Sequence, residues 1–179
     1  MRVKGKLGIA VLCVLAAATL QAKTILPDAC GDDKVKFEIK TEKDHAAPGA
    51  PNSGKAQLVL IEALDKTFCW GCSVATRFGM DGAWVGANNG DSYFVLSIDR
   101  GEHHLCADWQ SVFGTLKKKI GLTSFTAEAG KVYYFEALVT QKQTSKDYVD
   151  RDLDLKQLND DEGKFRIKAS RFSTSTPTK

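Results

Sequence analysis

The feature that most narrows the folds open to this chain is a succession of short runs of strand length, each stopped by a turn that contains glycine. Ser73 to Met80 alternates through Val74, Thr76, Phe78 and Met80, then meets Asp81-Gly82 and Ala83-Trp84-Val85-Gly86. Asp-Gly readily adopts the positive backbone angles of a two-residue turn, so a β-hairpin is expected there. Asn88-Asn89-Gly90-Asp91, Asp99-Arg100-Gly101-Glu102 and Ala129-Gly130-Lys131 separate the further runs Ser92 to Ile98, His103 to Val112, Leu122 to Ala129 and Val132 to Val139. The last two read as a second hairpin in a continuous meander. Ala56 to Leu64 is almost wholly apolar, which suits a central strand covered on both faces. Val35, Phe37 and Ile39 alternate with Lys34, Lys36, Glu38 and Lys40, which suits an edge strand with one wet face. About seven short strands and little helical periodicity predict a mainly β fold, an antiparallel β-sandwich. One short C-terminal helix is expected after Asn159, an N-cap candidate with Glu162 three residues on, although Gly163 weakens it.

The ends of the chain read differently. Arg2, Lys4 and Lys6 precede the apolar stretch Leu7 to Leu20, which has the form of a secretory signal and is short for a membrane span. Cleavage is expected after Ala18 or Ala22; in the latter case the formal charge drops from +3 to zero. A neutral chain offers no electrostatic footprint for nucleic acid, and no later run reaches membrane length. The expected organisation is a signal peptide over 1–22, then an N-terminal strand and Pro/Gly-containing linker over 23–54. A sandwich domain over 55–169 and a flexible Ser/Thr-rich tail over 170–179 follow. The expected location is periplasmic or extracellular.

Several segments together resemble a known family. These are Gly54-Lys55-Ala56-Gln57-Leu58-Val59-Leu60, Arg77-Phe78-Gly79-Met80-Asp81-Gly82-Ala83-Trp84-Val85-Gly86, Ser92-Tyr93-Phe94, Gly101-Glu102-His103-His104-Leu105 and Gly130-Lys131-Val132-Tyr133-Tyr134-Phe135. Their order resembles the bacterial secreted family called domain of unknown function 2846, over roughly Lys55 to Leu138. The resemblance implies a small β-sandwich similar to the PEGA and carboxypeptidase-regulatory domains, on exported proteins, and brings no catalytic residues with it.

Export bears on the cysteines. Cys13 leaves with the signal, and Cys30, Cys69, Cys72 and Cys106 remain as structural disulfide candidates. Three connectivities are open. The succession of strands favours Cys72 with Cys106 and Cys30 with Cys69, against the alternative of Cys69 with Cys72 and Cys30 with Cys106. Cys69-Trp70-Gly71-Cys72 has the spacing of a redox motif, but it falls between strands and not at the start of a helix. With His103 and Cys106 it also has the ligand types of a Cys₃His zinc site. Residues three apart on a strand point to opposite faces, which separates His103 from Cys106. The run Asp150, Asp152 and Asp154 lacks the glycine and closing Glu of a calcium loop, and Lys117 to Lys119 reads as a solvated loop. Trp84, Trp109, Tyr133 and Tyr134 are candidates for a carbohydrate platform, weighed against the commoner role of core aromatics.

No nucleophile elbow, paired metalloprotease histidines or phosphate loop is present in the sequence. The expectation is therefore an exported non-enzymatic binding or scaffold module without a cofactor, its partner a cell-envelope protein or glycan. The alternative is a metal-binding or thiol-redox protein using Cys69, Cys72, His103 and Cys106.

Overall fold

The computed structural model describes residues 29–43, 45–64, 75–110, 120–145 and 148–178. Among the described residues ten strands form in chain order: β1 (Lys36–Glu42), β2 (Ala56–Leu64), β3 (Ala75–Met80), β4 (Ala83–Asn89), β5 (Ser92–Ile98), β6 (Gly101–Trp109), β7 (Ile120–Ala127), β8 (Val132–Ser145), β9 (Tyr148–Leu158) and β10 (Arg171–Thr178). One helix, α1 (Asp160–Ala169), lies between β9 and β10. The six-stranded sheet has the order β1-β10-β5-β2-β8-β9 and the four-stranded sheet β4-β3-β6-β7.

The mainly β sandwich with a short C-terminal helix is thus what the sequence implies, but the strands are wired differently. Asp81 (φ 50°) and Gly82 (φ 88°) make the expected hairpin between β3 and β4. The turns after β4, β5 and β7 instead carry the chain from one sheet to the other, so the run from β3 to β6 is no simple meander. The expected hairpin of β7 with β8 is one of these crossings: β7 pairs with β6, and β8 with β2 and β9. A glycine turn reverses the chain either way, and only the burial of both strands chooses between pairing and crossing. The pairings β2 with β8 and β10 with β5 are parallel, so the sandwich is mixed and not purely antiparallel as expected.

β2 is central as expected, between β5 and β8, and β1 is an edge strand with Phe37 buried. The expected boundaries at residue 54 and residue 170 do not separate structural units. β1 pairs along its whole length with β10, from Lys36 opposite Thr178 to Glu42 opposite Phe172. Residues 171–178 are therefore strand, not a flexible tail, because β-branched Thr with Ser and Phe tolerates an extended backbone that β1 and β5 supply with partners.

Between the sheets lies the main core. Leu58, Leu60, Phe94, Phe135 and Val139 from the larger sheet meet Phe78, Leu105, Trp109 and Phe125 from the smaller. The larger sheet's outer face carries a second cluster, Val59, Ile61, Tyr93, Tyr134 and Leu158, with Ile167 of α1 and Phe172 of β10 against it. Asn159 caps α1 in a capping box with Glu162, and Asp160, Asp161 and Glu162 complement the first turn. Gly163, which weakens the helix as a sequence, is what allows it to dock: a β-carbon there would stand 2.2 Å from the Tyr134 ring. Phe165 on the same helix points outward and is exposed.

Candidate functional site

Three places gather polar or reactive side chains, and their geometry separates fastening from binding. The first is the outer face of the four-stranded sheet. Arg77 on β3 and Asp108 on β6 are direct cross-strand neighbours, and Arg77 Nη2 donates to Asp108 Oδ2 at 2.7 Å with both side chains buried. Arg77 Nη1 donates to the carbonyls of Asp33 (3.0 Å) and Val35 (2.5 Å), and its guanidinium lies 4.0 Å from the centre of the Trp84 ring. Trp84 Nε1 in turn donates to the carbonyl of Asp32 at 2.7 Å. Beside them Cys30 is bonded to Cys106, with Cα atoms 5.4 Å apart. Arg77 Nη1 and Trp84 Nε1 are thus spent on backbone carbonyls of residues 32–35, so this constellation fastens the segment Ala29–Val35 over the sheet.

The second place is one end of the sandwich. His103 Nδ1 lies 2.6 Å from Asp81 Oδ2, and His103 Nε2 lies 3.0 Å from the carbonyl of Asp99. Asp81 Oδ1 also accepts from the backbone N–H of His104 at 2.8 Å. Burial lowers the His103 pKa, but the acceptors Asp81 and Asp99 outweigh it and hold the imidazole above its usual range. Asp81 is correspondingly depressed, its own desolvation outweighed by the His104 amide and by His103. An imidazolium with an oxygen acceptor on each nitrogen is a tie between the β3–β4 and β5–β6 turns, not a base with a free lone pair.

A related buried carboxyl sits within the sandwich. Glu62 on β2 is fully buried, accepts from Thr76 Oγ1 at 2.9 Å, and is held well above the ordinary carboxyl range mainly by burial. Asn88 donates to the Leu60 carbonyl at 2.9 Å and accepts from Ser173 Oγ, which makes this region of the interior polar.

The third place is a cleft of about 520 Å³ between α1, the segment around His45 to Pro48, and the outer face of the six-stranded sheet. Tyr93, Tyr134 and Phe172 line it from the strands. His45 stacks on Phe172 with ring centres 3.7 Å apart and nearly parallel planes. Lys164, Ile167 and Lys168 come from α1, with Ser170 just beyond. Burial raises the pKa of both tyrosines, so each hydroxyl keeps its proton through neutral pH. Among the described residues, every titratable side chain lining the cleft is a lysine, the histidine or a tyrosine. This volume lies in the range of small-molecule sites.

The residues singled out from the sequence are dispersed. The expected pairing of Cys72 with Cys106 is overturned: Cys106 is bonded to Cys30, because Gly79, opposite Cys106, lets the N-terminal segment approach the sheet. A β-carbon at Gly79 would stand 2.8 Å from the Ala29 carbonyl oxygen. Cys30 is thereby also denied to Cys69. Cys69 and Cys72 themselves, like the expected signal segment 1–22 and Lys117 to Lys119, lie outside the described residues. The Cys₃His site loses Cys106 to the disulfide, and His103 points away from it into the sandwich, against Phe125. No cluster of three or more metal-ligating side chains forms among the described residues. Asp152 and Asp154 lie on the exposed face of β9 while Leu153 and Leu155 turn inward. Of the four aromatic candidates only Tyr134 reaches the cleft; Trp109 and Tyr133 join the main core and Trp84 covers Arg77. Sequence reasoning does not pick out His45, Tyr93 or Phe172 as neighbours, since they come from three segments far apart in the chain.

Among described residues no helix is long and apolar enough to cross a membrane. No family model, no curated protein and no solved structure matches this chain.

Proposed function

We propose that this chain is an exported, non-enzymatic β-sandwich module that binds a cell-envelope glycan in the cleft beneath α1. The observation that carries the reading is the cleft itself: about 520 Å³ left open between a helix and a sheet, walled by aromatic and basic side chains. Aromatic faces pack against the C–H faces of sugar rings, while hydroxyl and ammonium groups orient them. Export to the periplasm or beyond is supported by the basic start and the apolar run Leu7 to Leu20.

The metal-binding or thiol-redox alternative is less well served, because Cys106 is taken up by Cys30 and both ring nitrogens of His103 are engaged. Co-sedimentation of the full chain with insoluble envelope glycan tests the proposal. Binding that falls about tenfold in Ala47→Trp, which fills the cleft from its rim, with an unchanged melting temperature, supports it. Equal binding by that variant removes the cleft from the function, and stoichiometric zinc or free thiols in the exported protein favour the alternative.

A further inference from the structure

The cleft's chemistry goes further than sugar binding in general. Resting on the reading above, we infer that it takes an acidic sugar unit, a ring bearing a single carboxylate.

The charges around the cleft point one way. Among the described residues, His45, Lys164 and Lys168 line it and no carboxylate does. The acidic groups nearby are already committed: Asp160 Oδ2 holds Lys164 Nζ at 2.5 Å, and buried Glu136 lies 2.8 Å from Arg166 Nε on the same helix. Glu42 stands 3.8 Å from His45, a loose and exposed pairing. Lys168 has no ion-pair partner among the described residues, so it is the ammonium group most available to a ligand carboxylate.

The helix end disfavours anions in general, and a doubly charged one more than a single carboxylate that Lys168 offsets. The cleft is lined by Lys164, Ile167, Lys168 and Ser170, the C-terminal half of α1 and its cap, where the backbone dipole is negative. Phosphate groups favour the opposite end of a helix. The last turn of any helix leaves carbonyl oxygens without intrahelical partners; here Ser170 satisfies those of Arg166 and Ile167. A ligand that matches these walls carries hydroxyl groups for the hydroxyls of Tyr93, Tyr134 and Ser170, one negative charge for Lys168, and a ring for exposed His45, whose other face stacks on Phe172. A sugar acid has all three; a neutral sugar lacks the charge, and inorganic phosphate lacks the ring.

Titration of the full, ¹⁵N-labelled chain with glucuronate, glucose and inorganic phosphate, followed by amide shifts, tests this. The expected result is shifts centred on Lys164 to Phe172 and on Tyr93, with glucuronate bound about tenfold more tightly than glucose. Lys168→Gln should weaken glucuronate about five- to tenfold, leave glucose unchanged and leave the melting temperature where it was. Equal affinity for glucose and glucuronate overturns the inference while the sugar-binding reading stands. The same holds if Lys168→Gln weakens both sugars alike. Phosphate bound as tightly as glucuronate overturns it in favour of a simple anion site. No shift at the cleft with either sugar overturns the inference and the glycan reading together.

Discussion

The two sheets each have part of their outer face covered, and by opposite means. The four-stranded sheet is covered by an irregular segment, Ala29–Val35, fixed by a disulfide, a buried ion pair and directed hydrogen bonds from Arg77 and Trp84. The six-stranded sheet is covered by a regular helix resting on Val59, Ile61, Tyr93 and Tyr134 through few side chains. A segment without regular structure exposes backbone carbonyls that need donors, which draws it down onto the sheet. A helix satisfies its own backbone and touches the sheet only where its side chains reach, so space remains beside it. The cleft belongs to the second arrangement and the covalently held cover to the first.

The contrast is tested most severely at Arg77. Arg77→Ala leaves Asp108 buried without its cation and takes two donors from residues 33 and 35. The expected loss is roughly 3 to 5 kcal/mol by chemical denaturation. Joint replacement of Cys30 and Cys106 by alanine opens a link of sequence separation 76. It should cost roughly 2 to 5 kcal/mol and raise amide exchange in residues 29–35 without altering α1. If exchange rises equally over both faces, the two covers are not independent.

On the other face, Gly163→Ala drives a methyl group into the Tyr134 ring. A loss of about 1 to 3 kcal/mol and displacement of α1 are expected, with the disulfide-bearing face undisturbed. A mutant of unchanged stability would show that the helix docks elsewhere.

The interior carboxyl gives a smaller, pH-dependent effect. Because the Glu62 pKa is raised in the fold, the unfolded chain releases this proton first, and stability falls as pH rises above its ordinary value of 4.5. Glu62→Gln keeps an acceptor for Thr76 and should be more stable than the parent at pH 8, the gap shrinking toward pH 4. The smallest effect is at the sandwich end. His103 contributes fully below its ordinary pKa of 6.5 and progressively less as pH rises through its raised folded value. Asp81 contributes above 3.8 and is lost as pH falls through its depressed value. His103→Gln should therefore flatten the alkaline decline without changing the slope between pH 4 and 6. A parental decline in that variant assigns the dependence elsewhere.

Much of this was legible from the residues. Asp81-Gly82, the apolar Ala56 to Leu64 and the alternating β1 declare a local turn, a buried strand and an edge strand, because each depends on the residue's own backbone preference or on which faces are wet. Asn159 and Glu162 likewise cap their helix through contacts three residues apart.

What lay beyond the sequence was partnership at a distance. Gly90, Gly101 and Gly130 announce turns, but whether the next strand stays in its sheet or crosses depends on which surfaces are left to bury. A polar end rich in serine and threonine reads as loose, yet Arg171–Thr178 becomes a strand because β1 and β5 offer unpaired backbone on either side. The disulfide is of the same kind: the cysteines allow several pairings, and the choice of Cys30 for Cys106 rests on the approach of residues 29–35 to Gly79 and Trp84. The cleft is the furthest from the sequence, since His45, Tyr93, Tyr134, Lys168 and Phe172 come from five separate segments. Local preference determined the strands, the hairpin turn and the helix cap, because those energies are set within a few residues. Only the tertiary structure decided the crossings, the cysteine partner and the cleft, because each depends on burying surfaces that lie far apart along the chain.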